Sequence, residues 1–129
     1  MQQYRLDGKV SIITGGARGI GRSIALAFAE AGSHIVIADI SAEEAAKTKA
    51  EVEQLGVSCR FIHTDVTSED SVGHMVAAVM NDFGKIDVLV NDAGICRSGK
   101  AEEMPLDDWN RVIAVNLTGQ FITCKAVGS

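Results

Sequence analysis

The chain has 129 residues, 47% of them apolar and 22% charged, which is material for one globular domain and not for two. Twelve Lys and Arg against seventeen Asp and Glu leave a formal charge of −5. That is the wrong sign for sequence-independent nucleic-acid binding, in which basic side chains replace counterions on phosphates. No apolar run approaches the ~20 residues of a membrane span, and Met1 to Lys9 carries no apolar signal-peptide core. A cytoplasmic location is therefore expected. Cys59, Cys96 and Cys124 form no C-x-x-C pair and read as reduced, buried or incidental thiols. His34, His63 and His74 have no spacing that suggests a metal site.

In chain order, Lys9 to Thr14 is rich in β-branched residues and reads as a first strand. A glycine loop follows. Ile20, Ile24 and Phe28 then recur every fourth residue beside Ala25, Ala27 and Ala31, which marks one apolar helix face ended by Gly32. His34 to Asp39 is a second strand, and its unbroken apolar run suits a parallel strand covered on both faces. Ser41-Ala42-Glu43-Glu44 has the form of a capping box, S-x-x-E, opening a helix to about Leu55 with Gly56 as its stop. Val57 to His63 is a third strand. Thr67 or Ser68 caps the next helix, where Val72, Met75, Val76, Val79, Met80 and Phe83 hold helical spacing up to Gly84. Ile86 to Asn91 is a fourth strand. Pro105 suits the first turn of a last helix, with Trp109, Val112, Ile113, Asn116, Leu117, Gln120, Phe121 and Cys124 on one face and Trp109 as a core anchor.

Strands alternating with helices through short loops imply parallel pairing with right-handed crossovers, so the fold class is α/β with a doubly wound sheet. The last helix is still in pattern at Cys124, and no strand follows to cover Val88-Leu89-Val90. A hydrophobic edge of this kind is usually avoided, which points to an incomplete domain and to self-association through the strand-4 edge.

Thr14-Gly15-Gly16-Ala17-Arg18-Gly19-Ile20-Gly21 lies at the first strand-to-helix turn, where a dinucleotide fold places its phosphate loop. Gly15 suits the tight turn, Gly19 lets a pyrophosphate approach the backbone, and Gly21 lets helix and sheet pack closely. The phosphates would meet the N–H groups of the first helical turn. Asp39 ends the second strand. Its carboxylate can accept hydrogen bonds from the adenosine ribose hydroxyls and repels a 2′-phosphate, so NAD(H) is favoured over NADP(H). Arg18 works in the other direction, as a basic side chain in the loop that either attracts an extra phosphate or faces solvent.

With these residues the sequence closely resembles the short-chain dehydrogenase/reductase family. Thr14 to Gly21 matches that family's T-G-x-x-x-G-x-G at every fixed position, and Asn91-Asp92-Ala93-Gly94 matches its N-N-A-G with Asp92 in place of the second Asn. Asp65-Val66 after the third strand and Asn116 within Val115-Asn116-Leu117-Thr118-Gly119 are further landmarks in the family's order. The resemblance implies a Rossmann-type sheet in the order 3-2-1-4 and a cofactor set of Gly15, Arg18, Gly19, Ile20, Gly21, Asp39, Ile40, Asp65, Val66, Asn91, Ala93 and Gly94. Asp65-Val66 would meet the adenine, and Asn91 and Gly94 the adenosine ribose. Asp92 accepts where an amide could also donate, which weakens that network. Asn116 would be the first member of the family's Asn-Ser-Tyr-Lys catalytic set, on a locally distorted helix. Full-length members are usually homo-oligomers.

The family's acid/base tyrosine is followed four residues later by a lysine. Here the single tyrosine, Tyr4, is followed at that distance by Gly8, and no Y-x-x-x-K occurs. Only the family's N-terminal half is matched. Two readings follow. One is the cofactor-binding part of an NAD-dependent oxidoreductase, inactive alone. The other is a complete, non-catalytic dinucleotide-binding or interaction module.

Overall fold

In the computed structural model, residues 5–94 and 103–128 are described. Cys96 lies outside them. Four strands, β1 (Val10–Thr14), β2 (His34–Asp39), β3 (Cys59–His63) and β4 (Val88–Asn91), form one sheet in the order β3-β2-β1-β4. Every pairing is parallel: Val10 stands opposite His34, Ser11 opposite Val88, and Ile35 opposite Cys59. The helices between them are α1 (Gly19–Glu30), α2 (Ala42–Glu53) and α3 (Glu69–Phe83). The doubly wound sheet expected from the alternating pattern, and the Rossmann-type order 3-2-1-4 implied by the resemblance, are both observed.

Alternation along β1 and β2 separates two cores. Ile13, Ile35 and Ile37 join Ala25, Ala29, Ala45 and Val52 of α1 and α2 on one face of the sheet. Val10, Ile12, Val36 and Ala38 join Val72, Met75 and Val79 of α3 on the other. Residues 35 to 38 are all fully buried, as an apolar strand covered on both faces must be. Among the described residues β4 pairs with β1 alone, and it is half-buried. Asp87, just before it, accepts from the Val10 N–H at 2.9 Å and pairs with Lys85, which fixes the start of β4 against the start of β1.

Three local expectations need correction. The fully buried stripe of α1 is Gly21, Ala25 and Ala29, against whose core Ile24 and Phe28 of the expected face pack half-buried, while Ile20 does not. Small side chains bring the helix close to the sheet, and Ile20 is left 72% exposed. Ser41 occupies the N-cap of α2, but its side chain makes no capping bond; its N–H donates instead to Asp39 Oδ1 at 2.9 Å. Ser68, one of the two candidate caps, does accept from the Ser71 N–H.

The third correction concerns the last helix, which is not continuous. α4 (Leu106–Ile113) passes into a π-helical segment, Ala114–Thr118, and then α5 (Gly119–Gly128). Trp109 is 53% exposed and not a core anchor, because α4 has no buried residue and lies outside both cores. Beyond the π segment, Ile122 and Ala126 of α5 rest on the α3 core.

The two described cysteines differ. Cys59 is buried on β3, and its burial pushes the thiol up to about 12, whereas Cys124 is exposed. A thiol held in that range presents almost no thiolate at neutral pH. In native-state alkylation followed by peptide mass analysis, Cys124 is expected to label and Cys59 only after denaturation. Prompt labelling of Cys59 would contradict its placement.

Candidate functional site

Parallel strands carry all their C-terminal ends to one edge of the sheet, and β1 and β4 diverge from their neighbours' winding there. Ligands of doubly wound sheets sit at that point. A cleft of about 370 Å³ opens there, lined by the glycine loop, the ends of β2 and β3 and the turn after β4.

The loop is shaped by what glycine lacks. Gly15 has φ +69, and a Cβ on it would stand 2.9 Å from the Ala93 backbone. A Cβ on Gly21 would meet the Gly15 carbonyl oxygen at 2.1 Å and Asp92 Oδ2 at 2.8 Å. At Gly19, with φ +62, nothing lies within 4 Å, so a bulky anion can approach the backbone there. α1 begins at this residue. Among the described residues no side chain caps it, and its first turn holds no acidic residue. An uncapped helix start with that open approach fits a pyrophosphate.

Asp39 closes β2 at the cleft wall. One carboxylate oxygen accepts the Ala17 N–H at 3.1 Å and the other the Ser41 N–H. Each oxygen has a second lone-pair site, so the side chain can hold the loop and still accept from a ribose hydroxyl. Asp65 is stabilised by both the hydroxyl and the N–H of Thr67, which hold its carboxyl below the usual range, with Arg111 and His63 adding smaller effects. It is therefore anionic at neutral pH.

The turn after β4 is fastened by the threonine that opens the glycine motif, to which the sequence reading gave no contact of its own. Thr14 Oγ1 accepts from the N–H groups of Asp92 and Ala93, both at 3.1 Å, and donates to the Val90 carbonyl. This ties the end of β1 to the Asn91–Gly94 turn.

Of the sequence-derived cofactor set, Gly15, Arg18, Gly19, Ile20, Asp39, Ile40, Asp65, Val66, Ala93 and Gly94 line the cleft. Gly21 and Asn91 are not on the lining. Gly21 acts through its close approach to Gly15, and Asn91 Nδ2 donates to Cys124 Sγ, tying β4 to α5. Asn116 sits in the π segment, with Oδ1 3.4 Å from where a Gly94 Cβ would be, so it adjoins the cleft without lining it. The local helix distortion that the resemblance implied is present; π segments are frequent at functional positions. Ala38, Thr64, Asp92, Arg111 and Val115 also line the cleft and were not foreseen there. Asp92 follows directly from the turn motif, whereas Arg111 and Val115 depend on how α4 docks. Among the described residues, no group of three His, Cys, Asp or Glu side chains is placed to hold a metal, and no helix is long and apolar enough to cross a membrane.

Comparison with known proteins bears on the same residues. The short chain dehydrogenase family profile matches residues 9–129. The chain belongs to that family. D-threitol dehydrogenase of Mycolicibacterium smegmatis is 44% identical over 125 residues, which are 97% of this chain and 48% of that protein. The 2,5-dichloro-2,5-cyclohexadiene-1,4-diol dehydrogenase LinX of Sphingobium indicum is 43% identical, over 95% of this chain and 49% of that one. The crystal structure of an NAD+-bound xylitol dehydrogenase superposes with a TM-score of 0.91 at 42% identity, covering 94% of this chain and 47% of its own. The chain thus spans about half the length of the short-chain dehydrogenases it matches, and what it holds is their NAD(P)-binding Rossmann portion.

Proposed function

We propose that this chain is the NAD(H)-binding part of an oxidoreductase that moves hydride between nicotinamide and a secondary alcohol or its ketone. The observation that carries this reading is the cleft itself. An uncapped helix start beside Gly19 suits a pyrophosphate, and a carboxylate at the end of β2 suits a ribose, on the same wall. When bound, the dinucleotide supplies the hydride acceptor or donor at its nicotinamide carbon. The residues at hand bind and orient it: Gly15, Gly19 and the first turn of α1 at the pyrophosphate, Asp39 and Ile40 at the adenosine ribose, and Asp65 with Val66 at the adenine. Asn116 is the catalytic-set member that this segment contributes. NAD(H) is favoured over NADP(H) because Asp39 faces the ribose position, and the xylitol dehydrogenase neighbour is NAD+-bound. The relatives named for threitol, xylitol and a cyclohexadienediol act on alcohols, which supports the reaction class.

Titration of the purified 129-residue chain with NADH and NADPH, followed by nicotinamide fluorescence, tests this. NADH is expected to bind, and more tightly than NADPH. The same sample is expected to show no NAD+ reduction with threitol or xylitol, since Y-x-x-x-K is absent. Absence of NADH binding would remove the proposal, and genuine turnover would remove its claim of inactivity.

A further inference from the structure

We propose that Thr48, on α2 and away from the cleft surface, is a positioning residue whose hydroxyl fixes the conformation of the glycine loop. The inference deepens the dinucleotide reading and rests on it for its ligand.

α2 buries Ala45, Thr48 and Val52, a stripe in which Thr48 is the one polar side chain, 1% exposed. A hydroxyl inside a helix ordinarily turns back on its own backbone, to the carbonyl one turn earlier. Among the described residues Thr123 donates in this way to the Gly119 carbonyl at 2.8 Å, and Ser23 to that of Gly19 at 3.3 Å. Thr48 does not. Its hydroxyl crosses to the Ala17 carbonyl, 31 residues away, at 2.6 Å.

Ala17 is the middle of the glycine loop and is itself 1% exposed. Its N–H donates to Asp39 Oδ2, while Asp39 Oδ1 accepts the N–H of Ser41 at the start of α2. The contacts close a circuit: Asp39 to Ala17, Ala17 to Thr48, and α2 back to Asp39. The peptide groups on both sides of Ala17 are thereby fixed, and Arg18 and Gly19 of the cleft wall follow directly. The acid that reads the ribose and the loop that receives the pyrophosphate share one mount. Without the hydroxyl, a buried carbonyl loses its partner, which is costly enough to move the loop rather than be tolerated.

The test compares Thr48→Val, which keeps the shape and removes the donor, with Thr48→Ser, which keeps the donor and removes a methyl group. Hydrogen exchange of the amides of residues 15–20 is measured in the ligand-free chain, and NADH affinity by fluorescence titration. Thr48→Val is expected to speed exchange at Ala17 about tenfold and to weaken NADH about tenfold. Thr48→Ser is expected to stay within about twofold of the parent on both, since a single hydrogen-bond energy is conserved. Unchanged loop exchange and affinity in Thr48→Val would overturn the proposal. So would a Thr48→Ser variant that behaves like Thr48→Val, because packing of the methyl group would then be the cause. If the parent chain binds no dinucleotide, the functional reading fails, and the exchange comparison alone decides whether Thr48 holds the loop. Should Thr48→Val not fold, Thr48→Cys offers a weak donor in the same place. Its loop exchange is expected to exceed that of Thr48→Ser, and equality with the parent would overturn the proposal.

Discussion

Replacing Asp39 by Ser is expected to lower the NADPH-to-NADH ratio of dissociation constants by at least roughly tenfold, which is 1.4 kcal/mol. Two effects add. A ribose hydroxyl loses a charge-assisted acceptor, a bond worth about 1.5–3 kcal/mol. A 2′-phosphate meanwhile escapes repulsion from a carboxylate, which at partly solvated separations amounts to a few kcal/mol at most. The substitution also removes the acceptors that hold the N–H groups of Ala17 and Ser41. Loop loosening from that source weakens both cofactors by a common factor. The ratio cancels the shared loss and reports on the ribose. Paired fluorescence titrations of parent and variant at one ionic strength provide it. A ratio that does not move would assign Asp39 to loop architecture alone.

The second large effect separates two glycines of one motif. In Gly21→Ala the new methyl would lie 2.1 Å from the Gly15 carbonyl oxygen, a backbone atom that cannot swing aside. α1 must move off the loop, and a loss on the order of 2–3 kcal/mol is expected, as for overpacked interior sites. Thermal unfolding should show it as a drop of about 10 °C for a domain of this size. In Gly19→Ala the methyl meets no atom within 4 Å, and only the left-handed backbone with φ +62 resists it. That costs about 1 kcal/mol. The methyl nevertheless obstructs the approach of a phosphate to the helix start, so NADH affinity should fall by more than about tenfold. The two variants are thus expected to part ways. One loses stability and binding together, and the other loses binding with most of its stability kept. A Gly19→Ala chain that melts and binds like the parent would contradict the placement of the pyrophosphate at that turn.

Much of this arrangement is legible in the residues before any coordinates. β-branched runs at Val10–Thr14 and His34–Asp39, and helical spacing through Val72, Met75 and Val79, specify elements because each pattern matches the period of one secondary structure. The glycine loop is legible because Gly15, Gly19 and Gly21 have separate steric reasons to lack a side chain. What escapes is whatever depends on docking. Thr48 reads in sequence as an ordinary helix residue, and only the approach of α2 to Ala17 gives it a partner. Arg111 and Val115 reach the cleft through the path of α4 into the π segment. That same segment defeats the single apolar face drawn from Trp109 to Cys124, since a π turn adds residues per turn and rotates everything beyond it out of phase. The capping box fails for a comparable reason: the residues are right, but the Ser41 N–H is drawn to Asp39, a side chain that the local pattern does not include.

The sheet's two faces also bear on how the protein can change. Ile13, Ile35 and Ile37 answer to α1 and α2, while Ile12, Val36 and Ala38 answer to α3 and α5. The strands are a partition that both sides share and neither side crosses. Substitutions well separated in opposite layers, such as at Val52 on α2 and Val79 on α3, are expected to be close to additive in their costs. That separation ends at the cleft, where Asn116 Oδ1 reaches to 3.4 Å of a Gly94 Cβ position and Val66 stands against Gly119, so changes there and changes around Asn116 are expected to be coupled. The interior can thus be revised one layer at a time, whereas the cleft and the π segment have to change together.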